Sequence, residues 1–145
     1  MSLQKIDQDL DNLVSDSKIP IRLSYIGNNG MPGVISLWYQ SIEGKIYCAA
    51  QNSAKIVSLL QKNPQCGFEI AADKIPYKGV RGYGHAGIIP ELGSEILDIL
   101  ISKYLGERES TLSAFLKKNS KKEVAIQITP HSIQNYDYTA RMKDV

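Results

Sequence analysis

The residues of this sequence best suited to binding chemistry are Ser53 and Lys55, which lie where a strand-like pattern gives way to a helical one. A helix N-terminus presents unpaired amide N–H groups and a partial positive charge, and both favour an anion. A hydroxyl and an ammonium group at that position would complete a phosphate site. The same residues allow a simpler interpretation, in which Ser53 only caps the helix and Lys55 is a solvated surface charge.

Other residues could contribute to a site, but each also has a structural interpretation. Trp38 could stack on a ligand, or it could be a core aromatic residue of a central strand. Lys78 and Arg81 could contact a ligand, or they could be ordinary surface cations. Alternation along its strand predicts that His85 points outward, and a surface or interface histidine is then favoured over a catalytic base. Tyr136 could cover a pocket at a dimer interface or simply anchor the C-terminal tail.

The cysteine and histidine residues do not indicate a metal centre. The chain has two cysteines, Cys48 and Cys66, and two histidines, His85 and His131, which lie far apart in sequence. A structural zinc site is therefore unsupported. In a reducing compartment we expect both thiols to be packed in the core and not to form a disulfide. No pattern of a Ser-His-Asp triad or of paired catalytic carboxylates emerges.

The composition is typical of a globular protein. Of the 145 residues, 43% are hydrophobic and 22% are charged, which excludes a disordered or collagen-like chain. The formal net charge is only +2 and the basic residues are dispersed, so nucleic-acid binding is not indicated. Apolar stretches are too short to span a bilayer, and the acidic N-terminus does not resemble a secretory signal. We therefore expect a cytoplasmic protein that forms one domain over residues 1–145, without membrane or nucleic-acid partners.

Apolar periodicity predicts the elements that would position these residues. The expected helices cover 3–15, 53–62, 90–105 and 111–118, and the expected strands cover 19–26, 34–40, 45–50, 65–72, 77–89 and 123–129. Ser53 is the expected N-cap of the second helix, and Pro130 is expected to end the last strand. The glycines of strand 77–89 predict a bulge or a close backbone approach. Tight turns imply antiparallel pairing, so six strands favour a closed or nearly closed barrel, with an open α+β sheet as the alternative.

A series of short motifs follows in order along nearly the whole chain. They are Gly30-Met31-Pro32, Trp38-Tyr39, Glu43-Gly44, Ser53-Ala54-Lys55, Asn63-Pro64, Gly84-His85-Ala86, Lys103-Tyr104-Leu105-Gly106, Ile128-Thr129-Pro130 and Tyr136-Asp137-Tyr138. In their order and spacing the chain resembles the pyridoxamine 5′-phosphate oxidase-like family of flavin-binding proteins. The resemblance implies a mainly β fold, a six-stranded antiparallel split β-barrel with flanking helices.

The same resemblance implies a homodimer with an FMN site between its subunits, and an FMN-dependent oxidoreductase acting on an unidentified small molecule. Ser53 and Lys55 would hold the FMN phosphate. Ser36, Leu37 and Trp38 would lie beside the isoalloxazine ring, and Ala49 and Ala50 beside the ribityl chain. The long strand would contribute Lys78 and Arg81 to the site, and the tail would contribute Tyr136.

Several positions depart from the enzymes that oxidise pyridoxamine phosphate. Ala54 and Gly33 stand where those enzymes have arginine, and Ala49 stands where they have threonine. Fewer charge-assisted donors are therefore available to a phosphate. These departures motivate an alternative, a non-catalytic or deazaflavin- or haem-binding module on the same barrel. A structural protein with an empty groove is the third possibility.

Overall fold

The computed structural model describes residues 14, 17–107 and 110–143. The helix expected over 3–15 lies outside the described residues, apart from Val14. Within the described part, the chain forms strands β1 (Ile21–Ile26), β2 (Pro32–Leu37), β3 (Gln40–Ile42) and β4 (Lys45–Gln51), helix α1 (Lys55–Lys62), strands β5 (Gln65–Ala71) and β6 (Lys78–Ile89), helices α2 (Gly93–Leu105) and α3 (Thr111–Lys118), and strand β7 (Glu123–Asp137). A short 3-10 turn, Pro90–Leu92, leads into α2.

All of these strands join one antiparallel sheet in the order β2-β1-β5-β6-β7-β4-β3. The two edge strands, β2 and β3, are neighbours in the chain and are separated only by Trp38 and Tyr39. The sheet must therefore curl until its two edges nearly meet, which makes it a split barrel. The expected mainly β split-barrel fold is confirmed, and the open sheet is not formed.

The sheet has seven strands where six were expected, because the strand predicted over 34–40 divides at Trp38 and Tyr39. Side chains of α2 bind the backbone at this corner. The Lys103 ammonium donates to the Tyr39 carbonyl oxygen over 2.8 Å, and the Tyr39 amide donates to the Tyr104 hydroxyl over 3.2 Å. Backbone groups that bind side chains in this way do not continue the ladder, so the chain turns from one sheet edge to the other.

Strand β7 continues through Pro130 to Asp137, so the prediction that Pro130 ends it is wrong. The register between β6 and β7 shifts at Tyr83/Gly84, where Gly84 pairs with Pro130. Proline is tolerated at such a bulge because one ladder hydrogen bond is already lost there. A Cβ atom on Gly84 would overlap the Thr129 carbonyl oxygen, so glycine is what allows the two backbones to approach. The close backbone approach expected at the glycines of strand 77–89 is present at Gly84, and the extra residue of the bulge lies in β7.

Two apolar clusters hold the fold together. The barrel interior is filled by alternate residues of the strands and by the inner face of α1; its members include Ile21, Leu23, Ile46, Cys48, Leu60, Phe68, Ile70, Val80, Ile126 and Ile128. A second cluster lies outside the barrel, where α2 packs against β4 and β7 around Ile96, Leu100 and Ala125. This arrangement fixes α1 at the barrel and α2 across the outer surface of β4 and β7. No helix in the described residues is both long and apolar enough to cross a membrane.

Candidate functional site

The first turn of α1 follows directly from the end of β4. The helix begins at Lys55, and Ala54 is its N-cap, with φ −65° and ψ 140°. Among the described residues no side chain caps this turn, so the prediction that Ser53 is the N-cap is wrong. The reason is a tight turn in which the Ala54 amide donates to the Gln51 carbonyl oxygen over 2.9 Å and delays the helix by one residue.

The approach to this turn is held firmly. The Asn52 amide donates to the Lys122 carbonyl oxygen over 2.7 Å, and the Gln51 side chain donates to the Glu123 carboxyl group over 2.8 Å. Burial raises the pKa of Glu123, which is only 8% exposed. The exposed Ser53 and Lys55 are therefore presented by a fixed backbone at a helix start that has no side-chain cap. Such a start can accept an external anion, because its amide N–H groups need an acceptor.

Lys55 also lines a cleft of about 340 Å³ between α1 and the turn that joins β1 to β2. The other wall is formed by Tyr25 and by residues of the turn, including Gly33. The turn is closed by a 2.8 Å hydrogen bond from the Gly27 amide to the Met31 carbonyl oxygen. The fold thus brings Lys55 and Gly33, which are distant in sequence, to one cleft.

The position of Gly33 explains one departure from the resembling enzymes. Tyr25 pairs with Gly33 across β1 and β2, and a Cβ atom on Gly33 would overlap the Tyr25 ring. A larger residue at position 33 would therefore require the ring to move. Among the described residues that line this cleft, Lys55 is the cation.

The residues expected beside the isoalloxazine ring lie on β2 and at the corner that follows it. Ser36 is exposed and its hydroxyl accepts a 2.7 Å hydrogen bond from Arg22, whereas Leu37 packs against the barrel core. Trp38 stacks on Tyr104 with ring centroids 4.9 Å apart and an angle of 6° between the planes. One Trp38 ring face is therefore occupied by the protein itself.

Ala49 and Ala50 lie on opposite faces of β4. Ala50 packs against the barrel core, and Ala49 packs beneath α2 together with Trp38. This follows from the two-residue period of a strand. Ala50 is the member of the pair on the same side of the sheet as Leu37.

A row of polar residues crosses five neighbouring strands on the outer surface of the sheet. The ladder registers place Ser36, Arg22, Glu69, Arg81 and Gln134 side by side on β2, β1, β5, β6 and β7. We call this set the polar row. It contains two of the expected site residues, Ser36 and Arg81, and three that were not expected. For Arg22 and Glu69 the sequence signal was their outward position in alternating strands, but strand pairing could not be deduced from it. Gln134 lies beyond the expected end of the last strand.

Tyr136 and Arg81 interact at one end of the polar row. The Arg81 guanidinium lies 4.9 Å from the centroid of the Tyr136 ring, and its Nε donates to Gln134 over 3.2 Å. The Tyr136 hydroxyl donates to Glu69 over 2.7 Å. Burial and the Glu69 carboxylate raise the pKa of Tyr136, so the phenol remains a donor. Lys78 lies apart from this group, at the start of β6 opposite Asp137.

Cys48 and Cys66 are both free, buried thiols, as expected. Burial raises the pKa of Cys48 to about 12 and the pKa of Cys66 to about 11. At neutral pH both are therefore protonated and unsuited to nucleophilic chemistry.

Solved structures with the same fold are found at low sequence identity. A conserved hypothetical protein from Mycobacterium tuberculosis, Rv2991, is 20% identical and has a TM-score of 0.76, with 92% of this chain and 86% of that chain covered. A structure described as an F420 reductase is 16% identical with a TM-score of 0.70, covering 89% and 98%. A protein from Clostridium acetobutylicum, related to general stress protein 26 and described as of the pyridoxinephosphate oxidase family, is 19% identical with a TM-score of 0.65, covering 92% of each chain.

These likenesses establish the fold, which is the split barrel of pyridoxamine 5′-phosphate oxidase-like proteins. Comparison of the sequence itself matches no protein-family profile and no curated protein.

Proposed function

We propose that this protein is a homodimeric FMN-binding oxidoreductase that acts on a small molecule. The observation that carries the proposal is the start of α1, where Ser53 and Lys55 are exposed at a helix N-terminus without a side-chain cap among the described residues. Bound FMN would supply the redox chemistry, and the protein would bind and orient it.

The phosphate is the part of FMN that this region fits best. Lys55 is the first residue of α1, so its ammonium and the amides of the first turn can donate hydrogen bonds to the same anion. The Ser53 hydroxyl precedes the N-cap and does not serve the helix, which leaves it available as a further donor. No acidic residue occurs in the first turn of α1 in the described structure to repel the phosphate.

The isoalloxazine ring would lie along β2. Because β2 is an edge strand of the described sheet, alternate backbone N–H and C=O groups on its outer side are not used in the ladder with β1. A planar heterocycle with its own donors and acceptors can bind such an edge through Ser36, Leu37 and Trp38. Ala50, at the end of β4 before the α1 turn, would lie beside the ribityl chain, since a small residue leaves room for it. Ala49, whose side chain is on the opposite face of β4, would contribute only backbone atoms there.

The second subunit would contact the outer surface of the sheet. Val34 on β2 and Tyr83 on β6 are 69% and 62% exposed. The registers place them in one row, with Ser24 and Gly67 between them, next to the polar row. Exposed apolar side chains of this size favour a protein contact. In such a dimer, Lys78, Arg81 and Tyr136 of each chain would approach the cofactor of the other.

A deazaflavin is the second candidate cofactor, and haem is the third. The small number of phosphate donors favours the deazaflavin, because Gly33 in the cleft and Ala54 beside Lys55 supply no charge. One of the solved structures with this fold is described as an F420 reductase.

The absorbance spectrum of the freshly purified protein, followed by titration with FMN, tests the proposal. A flavin spectrum, or saturable FMN binding with a dissociation constant near or below about 1 µM, is the expected result. A deazaflavin or haem spectrum would favour the alternative module. The absence of FMN binding at concentrations up to about 1 mM would refute the FMN proposal, since specific cofactor binding is far tighter than this.

A further inference from the structure

The two histidines of this chain meet on its outer surface. His85 and His131 are separated by 46 residues in sequence, yet Nδ1 of His85 lies 2.6 Å from Nε2 of His131. Their ring centroids are 4.7 Å apart, with an angle of 41° between the planes. Both side chains are exposed. Since the chain contains two histidines in all, its entire imidazole content is gathered at this one place.

The contact lies beside the bulge between β6 and β7. Tyr83 pairs with Ser132 and Gly84 pairs with Pro130, so His131 is the extra residue of the bulged strand. His85 pairs with Thr129, so His131 lies diagonally across the two strands from it, within reach of its side chain. The close backbone approach at Gly84 and the fixed φ of proline make this a stiff support for the two rings.

Two ring nitrogens at this distance share the proton of a hydrogen bond, and at a slightly larger separation they can share a metal cation instead. If both nitrogens presented lone pairs to each other without either, they would repel, and if both carried a proton, they would clash. A neutral imidazole can move its proton to its other nitrogen, which frees both facing nitrogens as ligands. His85 pairs across the strands with Gln65 and Thr129, which are both uncharged, so neither would repel a bound cation.

We propose that His85 and His131 together bind one divalent transition-metal ion of the Zn²⁺ class. Imidazole nitrogen suits Zn²⁺, Cu²⁺ and Ni²⁺, and it does not favour Mg²⁺ or Ca²⁺. At Zn–N distances of about 2.0–2.1 Å in a tetrahedral site, the two nitrogens would lie about 3.3 Å apart. The two nitrogens are 2.6 Å apart in the structure, and small rotations of these exposed side chains would increase the distance to the value that the metal needs.

The site is open on the protein side. In the described residues no group of three or more His, Cys, Asp or Glu side chains could hold a metal, so water would complete the coordination. An ion held by two protein ligands exchanges readily and leaves positions for an external ligand. This site uses none of the residues assigned to the flavin, so it can be tested independently of FMN binding.

The test is a titration of the full-length protein with Zn²⁺ near neutral pH, with calorimetry and NMR of the histidine rings as readouts. Only two imidazole spin systems exist in the chain, so assignment is direct. The expected result is one ion per chain and shifts of both rings that saturate together, reversed by a chelator. His85→Asn and His131→Asn should each lower the affinity roughly tenfold or more, because each removes one of two ligands. Glu91→Gln, which removes an exposed carboxylate, is the control and should leave the affinity unchanged.

Several outcomes would overturn the proposal. These are the absence of Zn²⁺ binding up to about 1 mM, shifts in only one ring, and an affinity that survives both histidine substitutions. Because both rings are exposed, each variant should fold, and its melting temperature checks this. The ring shifts of the unsubstituted protein do not depend on any variant.

Discussion

Replacing Lys55 with alanine tests the proposed phosphate site most selectively among single substitutions. Lys55 is exposed and is the first residue of α1, so its removal opens no cavity in the core. If its ammonium donates to the phosphate, the variant loses one charge-assisted hydrogen bond, about 1.5–3 kcal/mol. That loss corresponds to an increase in the FMN dissociation constant of about tenfold to 150-fold.

Lys62 provides a matched control on the same helix. It lies in the last turn of α1, and its ammonium is 3.3 Å from the Asn28 side chain. Seven residues of helix separate the two lysines by about 10 Å, which is close to the Debye length at about 0.1 M salt. Lys62→Ala should therefore change FMN affinity by less than about threefold, since a screened charge at this distance contributes little.

Riboflavin separates the phosphate contribution from the rest of the flavin, because it lacks only the phosphate. Quenching of flavin fluorescence during titration gives both dissociation constants. The account predicts that Lys55→Ala weakens FMN and leaves riboflavin unchanged. An equal loss for both ligands, or an equal loss in Lys55→Ala and Lys62→Ala, would refute the assignment of the phosphate to this turn.

Three further predictions concern the fold that supports the site. Gly84→Ala should destabilise the protein by about 1–3 kcal/mol through backbone overlap at the bulge, while Gly87→Ala, whose added Cβ meets no atom within 4 Å, should not; denaturant unfolding compares them. Burial raises the pKa of Glu123 above 4.5, so the folded state favours the protonated carboxyl group. The free energy of unfolding that this contributes is present below about pH 4.5 and is lost as the pH rises through the folded-state pKa. Glu123→Gln should therefore gain stability relative to the unsubstituted protein as the pH rises above about 4.5, and an identical pH dependence would contradict this. Lys103→Met should cost about 1.5–3 kcal/mol by leaving the Tyr39 carbonyl oxygen without its 2.8 Å charged donor, and unchanged unfolding would refute that role.

Much of the fold could be predicted from local apolar periodicity. The long glycine-rich strand was expected over 77–89 and runs from Lys78 to Ile89, and the short helix expected over 111–118 is Thr111–Lys118. The division of strand 34–40 could not be predicted, because the side chains that bind its corner lie 64 and 65 residues away in the chain. Such contacts depend on where α2 packs, and that is decided by the finished barrel.

For the candidate site, the sequence predicted where its residues lie in the fold better than how they are arranged. The sequence indicated that Ser53 and Lys55 lie where a strand meets a helix, and they do. Which residue caps that helix depends on a hydrogen bond between Ala54 and Gln51, a difference of one residue that local preference does not resolve. Arg22 and Glu69 of the polar row were missed for a different reason, since their strands become neighbours only through the order of the sheet.

The most direct test of the central claim is a crystal structure of the protein with FMN bound. The account predicts that the phosphate lies at the first turn of α1, within hydrogen-bond distance of the Ser53 hydroxyl, the Lys55 ammonium and at least one amide of that turn. A phosphate bound elsewhere, with this turn facing only solvent or protein, would contradict it.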